Sequence, residues 1–168
     1  MNQRVLTWGS GWGDNRLLLN GKQIGDFDET MMRERATARF DGQEWAFTKA
    51  FGGDILATRA CAGSSEPDQP SMAAEKHGAL FPRWEVQTAA GVYVLKGSGR
   101  SLEVSLDKQV LGRSESAGRL TDRRQLWLVD SVPLRHHVFL LWVVTVDLRR
   151  KSARTGRLPR LVITGSPI

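Results

Sequence analysis

Apolar residues recur along most of this chain in short runs that alternate with polar residues and are separated by turn-forming sequences. Trp45 and Phe47, for example, stand two positions apart within one such run, so on a β-strand both side chains would point to the same face. The runs recur about every 8–12 residues, a spacing that favours an antiparallel sandwich or barrel. This pattern predicts about eleven short strands before the C-terminal part of the chain.

Two of the predicted turns are strong β-hairpin signals. Asn20-Gly21 and Asp41-Gly42 each join two apolar runs, and both pairs tolerate the positive φ that a type I′ turn requires. Residues 19–25 and 106–112 also resemble each other, since each segment holds a leucine, a turn, Lys-Gln, an aliphatic residue and a glycine. The similarity has two explanations, an internal repeat that builds two related antiparallel halves, or two generic hairpins.

The length of 168 residues fits one domain, and we predict a single barrel domain over residues 1–168. Residues 61–79 lose the apolar periodicity and are rich in Ser, Pro, Gly and charge, which predicts a long, mobile, exposed loop. Residues 152–168 are predicted to form a basic tail, with an additional strand at residues 161–164.

The longest apolar run, residues 138–146, is broken only by a threonine. Ser131 as an N-cap, Pro133 in the first turn and basic residues at the end predict a helix over about 132–150. A helix that is apolar all round must be buried all round. The uncharged run between His137 and Asp147 has nine residues, whereas a membrane span needs about 20, so we expect a core helix enclosed by the strands.

Short strands in two related parts, Gly-rich hairpins with a Lys-Gln-aliphatic-Gly pattern and an apolar helix ending at Asp147 resemble the tubby C-terminal-like fold. The resemblance is closest to its LURP-one-related and phospholipid-scramblase-like branch. It implies a mainly β fold, an antiparallel barrel of about 11–12 short strands around a central hydrophobic C-terminal helix. The chain departs from the family where it continues beyond the helix. No stretch matches the basic residues with which tubby proteins bind phosphoinositide head groups, so that site is not transferred.

The net charge of +6 and the isoelectric point near 10.1 make anionic lipid, nucleic acid or an acidic protein suitable partners. The excess of positive charge lies late in the chain, where no acid occurs among six basic residues. We predict ligand contacts, to lipid or nucleic-acid phosphates, for these six: Arg149, Arg150, Lys151, Arg154, Arg157 and Arg160. The alternative is that they form a solvated basic surface with no ligand.

Four tryptophans fall within predicted strands or the helix and are expected in the core: Trp45, Trp84, Trp127 and Trp142. Trp8 and Trp12 stand beside flexible glycines, so we expect these two rings to be exposed, where aromatic rings can stack on bases.

Few residues in the sequence indicate catalysis. Cys61 is the only cysteine, which excludes an intramolecular disulfide and a cysteine-based zinc site. His136 and His137 are adjacent and would point about 100° apart on a helix, so they do not form the one-face pair that binds metal. The sequence therefore predicts no catalytic residue, no metal site and no cofactor.

These observations favour a binding module that recognises anionic phospholipid or a membrane surface without catalysing a reaction. A nucleic-acid-associated basic protein and a protein-interaction scaffold are the alternatives. The first residues lack the pattern of a signal peptide, so we expect a cytoplasmic location that includes the membrane periphery.

Overall fold

The structure of the protein is a computed structural model. It describes residues 2–8, 14–30, 34–60, 70–78, 82–97, 101–116 and 124–154. Within these residues the chain forms twelve strands, which are Gln3–Trp8 (β1), Arg16–Leu19 (β2), Lys22–Thr30 (β3), Arg35–Phe40 (β4), Gln43–Lys49 (β5), Ile55–Ala60 (β6), Met72–His77 (β7), Arg83–Thr88 (β8), Gly91–Lys96 (β9), Glu103–Leu106 (β10), Gln109–Ser116 (β11) and Arg124–Val129 (β12). A 3-10 turn covers Phe51–Gly53, and the α-helix Leu134–Arg154 (α1) follows the last strand.

The twelve strands of the described chain form one closed antiparallel barrel. From β2 to β12 each strand pairs with the next in sequence, and β1 closes the ring between β2 and β12. In the closing pair, Gln3 lies opposite Val129 and Thr7 lies opposite Gln125. Closure pairs backbone groups that an open sheet would leave at its edges. The predicted antiparallel barrel is confirmed.

The long apolar stretch forms α1, which lies inside the barrel as predicted. Every residue from position 136 to position 147 is buried, so about three turns of the helix have no face in contact with solvent. The helix begins at Leu134 and extends to Arg154, a few residues beyond the predicted end. Ser131 is not the N-cap, because the amides of His136 and His137 donate to the carbonyl of Pro133 at 3.0 Å.

Aromatic side chains of α1 pack directly against the barrel wall. The ring of Phe139 lies 5.5 Å from that of Phe47 on β5, and the ring of Trp142 lies 5.7 Å from that of Phe27 on β3. Other inward positions on the strands carry small residues, which leave room for the helix: Ala36, Ala38, Ala57 and Ala74 are all buried. The all-round apolar character of α1 therefore follows from its place in the centre.

The hairpin turns between strands have the predicted backbone conformation. Asn20 and Gly21 have φ angles of 52° and 79°, and Asp41 and Gly42 have φ angles of 52° and 66°. Positive φ at both central residues is the requirement of the type I′ turn, whose twist matches that of the flanking strands. Dipeptide sequence alone was sufficient to place both turns.

The two similar segments are hairpins with the same irregularity. Both the β2–β3 pair and the β10–β11 pair contain a register shift. Just after the shift, each hairpin has a glycine that lies very close to the following strand. A Cβ on Gly25 would lie 1.9 Å from the carbonyl oxygen of Arg39, and a Cβ on Gly112 would lie 1.8 Å from that of Trp127. Only glycine fits such an approach, so each bulge explains the glycine that ends the shared sequence pattern.

The similarity does not extend to matching halves of the barrel. Trp45 lies on β5, the second strand after the first hairpin, whereas Trp127 lies on β12, directly after the second. Around the closed barrel, the two hairpins are separated by two strands on one side, β1 and β12, and by the six strands β4 to β9 on the other. The strand order therefore supports two equivalent hairpins rather than a barrel made of two repeated units.

Part of the predicted loop at residues 61–79 is a strand, which corrects that prediction. Met72–His77 forms β7, which pairs with β6 from Met72 to Ala74 and with β8 from Ala73 to His77. Met72 and Ala74 are buried, but alanine has a low strand propensity and gives little periodic signal. β7 is the twelfth strand that the sequence pattern did not reveal. Residues 61–69 and 79 of the predicted loop lie outside the described residues, as does the strand predicted at 161–164.

Two tryptophans differ from expectation. Trp8 is buried and its ring stacks on Phe27 at 4.8 Å, so the prediction that it is exposed was wrong. Trp127 occupies an outward position of β12 and is half-buried, because its neighbours Leu126 and Leu128 take the inward positions. Trp12 lies outside the described residues.

No helix in the described part of the chain is long and apolar enough to cross a membrane. A twelve-stranded antiparallel barrel around one hydrophobic helix is the architecture that the resemblance to tubby-like proteins implies.

Strand direction gives the barrel two different ends. One end, which we call the histidine end, holds the start of α1 and the tight turns Asn20-Gly21, Asp41-Gly42 and Asp107-Lys108. The other end, which we call the basic mouth, holds the last turns of α1, the residues 50–54 between β5 and β6, and Gly78 and Pro82 between β7 and β8.

Candidate functional site

Asp147 is the centre of the charged groups at the basic mouth. It is only 3% exposed, and its carboxylate accepts hydrogen bonds from Lys76 Nζ at 2.7 Å and from Trp84 Nε1 at 3.0 Å. Lys151 Nζ lies 2.7 Å from the second carboxylate oxygen. Burial tends to raise the pKa of Asp147, but the hydrogen bonds from Lys151, Lys76 and Trp84 outweigh it and hold the pKa below 3.8. Asp147 is therefore a charged, fully bonded group inside the barrel.

Lys76 reaches Asp147 because β7 directs it there. Met72 and Ala74 face the core of the barrel, and strand alternation places Lys76 on the same face one step closer to the mouth. Its ammonium lies 5.5 Å from the centre of the Trp84 ring, and the guanidinium of Arg150 lies 5.3 Å from the same ring. Trp84 thus lies close to both cations.

Two arginines of α1 are bound to glutamates on the barrel wall. Arg149 donates to Glu29 on β3 at 2.6 Å. Arg150 donates two bonds to Glu34, at 2.8 and 2.9 Å, and this interaction is the main reason that the pKa of Glu34 is lowered. Paired, two-bond contacts between guanidinium and carboxylate are among the stronger polar contacts in proteins. Both arginines therefore join the helix end to the wall.

Beside these ion pairs lies an open pocket of about 490 Å³. Four basic side chains line it together with Asp54 and backbone from neighbouring turns. The basic residues are Lys76, Arg150, Lys151 and Arg154. The described residues of the pocket wall carry four cations and one acid, and we call this cavity the basic pocket.

Arg154 differs from the other three cations of the basic pocket. It is exposed and forms no ion pair with any other described residue. It lies on the last turn of α1 and lines the pocket. A ligand anion could bind Arg154 without first displacing a carboxylate of the described residues.

The structure places the six predicted ligand residues in three situations. Arg149 and Arg150 are bound to wall glutamates, and Lys151 is bound to Asp147. Arg150, Lys151 and Arg154 line the basic pocket, whereas Arg149 does not. Arg157 and Arg160 lie outside the described residues. Ligand binding by these residues stays a prediction.

Sequence reasoning missed several residues of the pocket. Lys76 was assigned to a loop because the surrounding Met-Ala-Ala-Glu sequence has a weak strand signal. Gly52 and Gly53 are adjacent glycines, which are typical of a turn, but nothing local indicates that this turn meets the end of α1. Only the closing of the barrel brings these segments together, since Lys76 and Asp147 are 71 positions apart.

The histidine end contains two buried histidines. His136 Nδ1 lies 3.1 Å from the hydroxyl of Tyr93, and His137 Nε2 donates to the carbonyl of Leu126 at 2.8 Å. Burial lowers the pKa of each from 6.5 to about 4. Both imidazoles are therefore neutral core groups at pH 7.

Among the described residues, no group of three or more His, Cys, Asp or Glu side chains is arranged to hold a metal ion. No protein-family model, no curated protein and no solved structure matches this chain. By its fold and its pocket, the protein is a helix-filled antiparallel barrel with a basic pocket at one end.

Proposed function

We propose that this protein is a peripheral binding module that recognises an anionic phospholipid surface through the basic pocket. The observation that carries the proposal is the convergence of Lys76, Arg150, Lys151 and Arg154 on one open cavity of about 490 Å³. A concave pocket of this size accommodates a compact anionic head group.

The charges around the pocket support an anionic ligand. Lys76 and Lys151 share one carboxylate, that of Asp147, so two cations are balanced by one anion. Arg154 adds a positive charge, and Asp54 is the one acid among the described residues of the pocket wall. A positive excess in a cavity with low-dielectric walls attracts anions and focuses the field on them.

The resemblance to the LURP-one-related and phospholipid-scramblase-like branch supports the same class of ligand. A helix-filled antiparallel barrel is the architecture of that branch, and the proposal places this chain in it. The ligand residues proposed here come from the pocket itself, since no sequence motif of a lipid site is shared.

Vesicle sedimentation tests the proposal. The protein is incubated with phosphatidylcholine vesicles and with vesicles that also contain phosphatidylserine, at physiological salt. We expect binding to the anionic vesicles only, and a decrease as salt is raised, because exposed charges are screened. Equal sedimentation with both vesicles, or none with either, would contradict the proposal.

A matched pair of variants locates the surface. Arg154→Gln and Lys22→Gln remove the same charge from opposite ends of the barrel, and both positions are exposed. A basic residue near an anionic membrane contributes about 1 kcal/mol, so Arg154→Gln is expected to weaken vesicle binding about fivefold. Lys22→Gln should leave it within about twofold. Equal losses would mean that only net charge matters.

A further inference from the structure

Phe51 is the most exposed large hydrophobic side chain of the described residues. Its relative exposure is 105%, compared with 55% for Val110 and 43% for Val92. Phe27, Phe40, Phe47 and Phe139, by contrast, are buried in the core. A fully exposed phenylalanine keeps an apolar surface in water that could be buried elsewhere. The barrel core does not bury Phe51, so its ring is free to enter an apolar environment outside the protein.

The turn that carries Phe51 is closed by backbone hydrogen bonds. The amide of Ala50 donates to the carbonyl of Asp54 at 2.8 Å, and the amide of Gly53 donates to the carbonyl of Ala50 at 3.2 Å. Gly52 and Gly53 have φ angles of 90° and 99°, which residues with a Cβ rarely adopt. This hydrogen-bonded turn presents the ring outward from the end of the β5–β6 hairpin.

The same turn forms part of the basic pocket. Gly52, Gly53 and Asp54 line the pocket, and a Cβ on Gly53 would lie 3.8 Å from Arg150 Nη1. Phe51 is thus next to the wall of the cavity in which the cations converge. Val92 and Val110 follow tight turns at the histidine end, far from this pocket. Phe51 alone combines a fully exposed apolar ring with an adjoining basic cavity within the described residues.

We propose that Phe51 is an apolar anchor that enters the hydrocarbon boundary of a membrane whose anionic head groups contact the basic pocket. The inference rests on the proposed function and extends it by fixing the orientation: the basic mouth faces the lipid and the histidine end faces water. Aromatic rings are favoured at the membrane interface, and binding through basic residues and a buried apolar side chain together is typical of peripheral membrane proteins.

The two contributions to binding differ in their response to salt. Charge contacts weaken as ionic strength rises, whereas burial of an apolar ring does not depend on screening. We expect Phe51→Ala to weaken binding to phosphatidylserine-containing vesicles about tenfold or more, by the same factor at low and high salt. Arg154→Gln should instead reduce the salt dependence itself. Val110→Ala, which shortens an exposed apolar side chain at the histidine end, should have no effect.

An environment-sensitive fluorophore tests insertion directly. In a Cys61→Ser background the label is attached at Phe51→Cys or, as the matched control, at Val110→Cys. Addition of phosphatidylserine-containing vesicles should shift the emission of the label at position 51 to shorter wavelength. The label at position 110 should keep its emission in water. These results together support both the anchor and the orientation.

The outcomes separate the anchor from the proposed function. If the protein sediments with anionic vesicles while the label at position 51 stays in water, the anchor is wrong and the proposed function stands. If both labels shift equally, the protein binds without the inferred orientation, which also overturns the anchor. If the unlabelled protein fails to sediment with anionic vesicles, the proposed function itself is wrong.

Discussion

The two ends of the buried helix carry ionisable groups that the protein keeps in opposite charge states. At the histidine end, His136 and His137 are neutral because burial lowers the pKa of each to about 4. At the basic mouth, Asp147 is just as buried but stays charged, because Lys76, Lys151 and Trp84 donate hydrogen bonds to it. A buried ionisable group must either lose its charge or be paired, and α1 shows both solutions.

The difference between the ends also separates structure from binding. The histidine end has tight turns, and its two buried histidines form uncharged hydrogen bonds with Tyr93 and Leu126. The basic mouth uses part of its charge to hold the helix, through Arg149 and Glu29 and through Arg150 and Glu34. The remaining charge, at Arg154 above all, faces an open pocket. Stability and vesicle binding of variants at the two ends test this division.

The largest effect is expected at the histidine end when the pH falls. The unfolded chain takes up protons at histidine near pH 6.5, but the folded pKa of both residues is about 4. Their contribution to stability is therefore complete above pH 6.5 and is lost as the pH falls towards 4. Between about pH 7.5 and about pH 4.5, the free energy of unfolding should fall by about 2–3 kcal/mol per histidine.

Urea unfolding at several pH values measures this dependence. His137→Gln should show about half of the pH effect over the same interval, whatever its stability at neutral pH. The carboxylates at the basic mouth affect stability over a lower pH range. The pKa values of Glu34 and Asp147 are lowered, so their contribution to the free energy of unfolding is lost mainly below their ordinary pKa values of 4.5 and 3.8. A pH dependence that His137→Gln leaves unchanged would contradict the assignment.

Removal of the central carboxylate at the basic mouth should cost almost as much. Asp147→Ala leaves the ammonium groups of Lys76 and Lys151 without their shared anion and the indole N–H of Trp84 without an acceptor. Breaking a buried ion pair by removing one partner typically costs about 3–5 kcal/mol. Urea unfolding at neutral pH measures the loss.

Asp130→Ala is the matched control for that variant. Asp130 pairs with Arg4 at 3.4 Å at the histidine end, but its side chain is about half exposed, and such pairs contribute less than about 1 kcal/mol. Equal losses for the two aspartate variants would show that Asp147 does not hold the end of the helix.

A smaller effect is expected for the ion pair between α1 and the wall. Arg150→Ala removes two hydrogen bonds to Glu34 and the contact with the Trp84 ring. We expect a loss of about 1–3 kcal/mol in urea unfolding. Arg39→Ala serves as the comparison, because Arg39 also pairs with a glutamate at 2.6 Å but is largely exposed, so its loss should stay below about 1 kcal/mol.

The smallest effect on stability is expected for Arg154. Arg154→Ala removes an exposed side chain with no ion pair to the other described residues, so the free energy of unfolding should change by less than about 0.5 kcal/mol. Binding to anionic vesicles should nevertheless decrease. A loss of stability as large as that of Arg150→Ala would place Arg154 among the structural ion pairs and remove the division between the two roles.

Much of the architecture could be predicted because the signals are local. Period-two alternation, the Asn-Gly and Asp-Gly turns and an uninterrupted apolar run each depend on neighbouring residues. The strand β7 was missed because its inward residues include alanine, whose small side chain suits the space beside α1 but has little strand preference. Trp8 was misplaced because adjacent glycines suggest exposure, whereas the ring of Phe27 on a neighbouring part of the barrel buries it.

Local sequence patterns were sufficient to predict many short antiparallel strands, two type I′ hairpins and a helix that must be enclosed. The sequence also showed a run of basic residues, but not which of them are bound to acids. The tertiary structure sets which acid each basic residue binds, because Arg149 binds Glu29 across 120 positions of the chain and Arg150 binds Glu34 across 116. Local patterns set backbone conformation, whereas the partners of a charge depend on which distant residues the closed barrel brings to the same end.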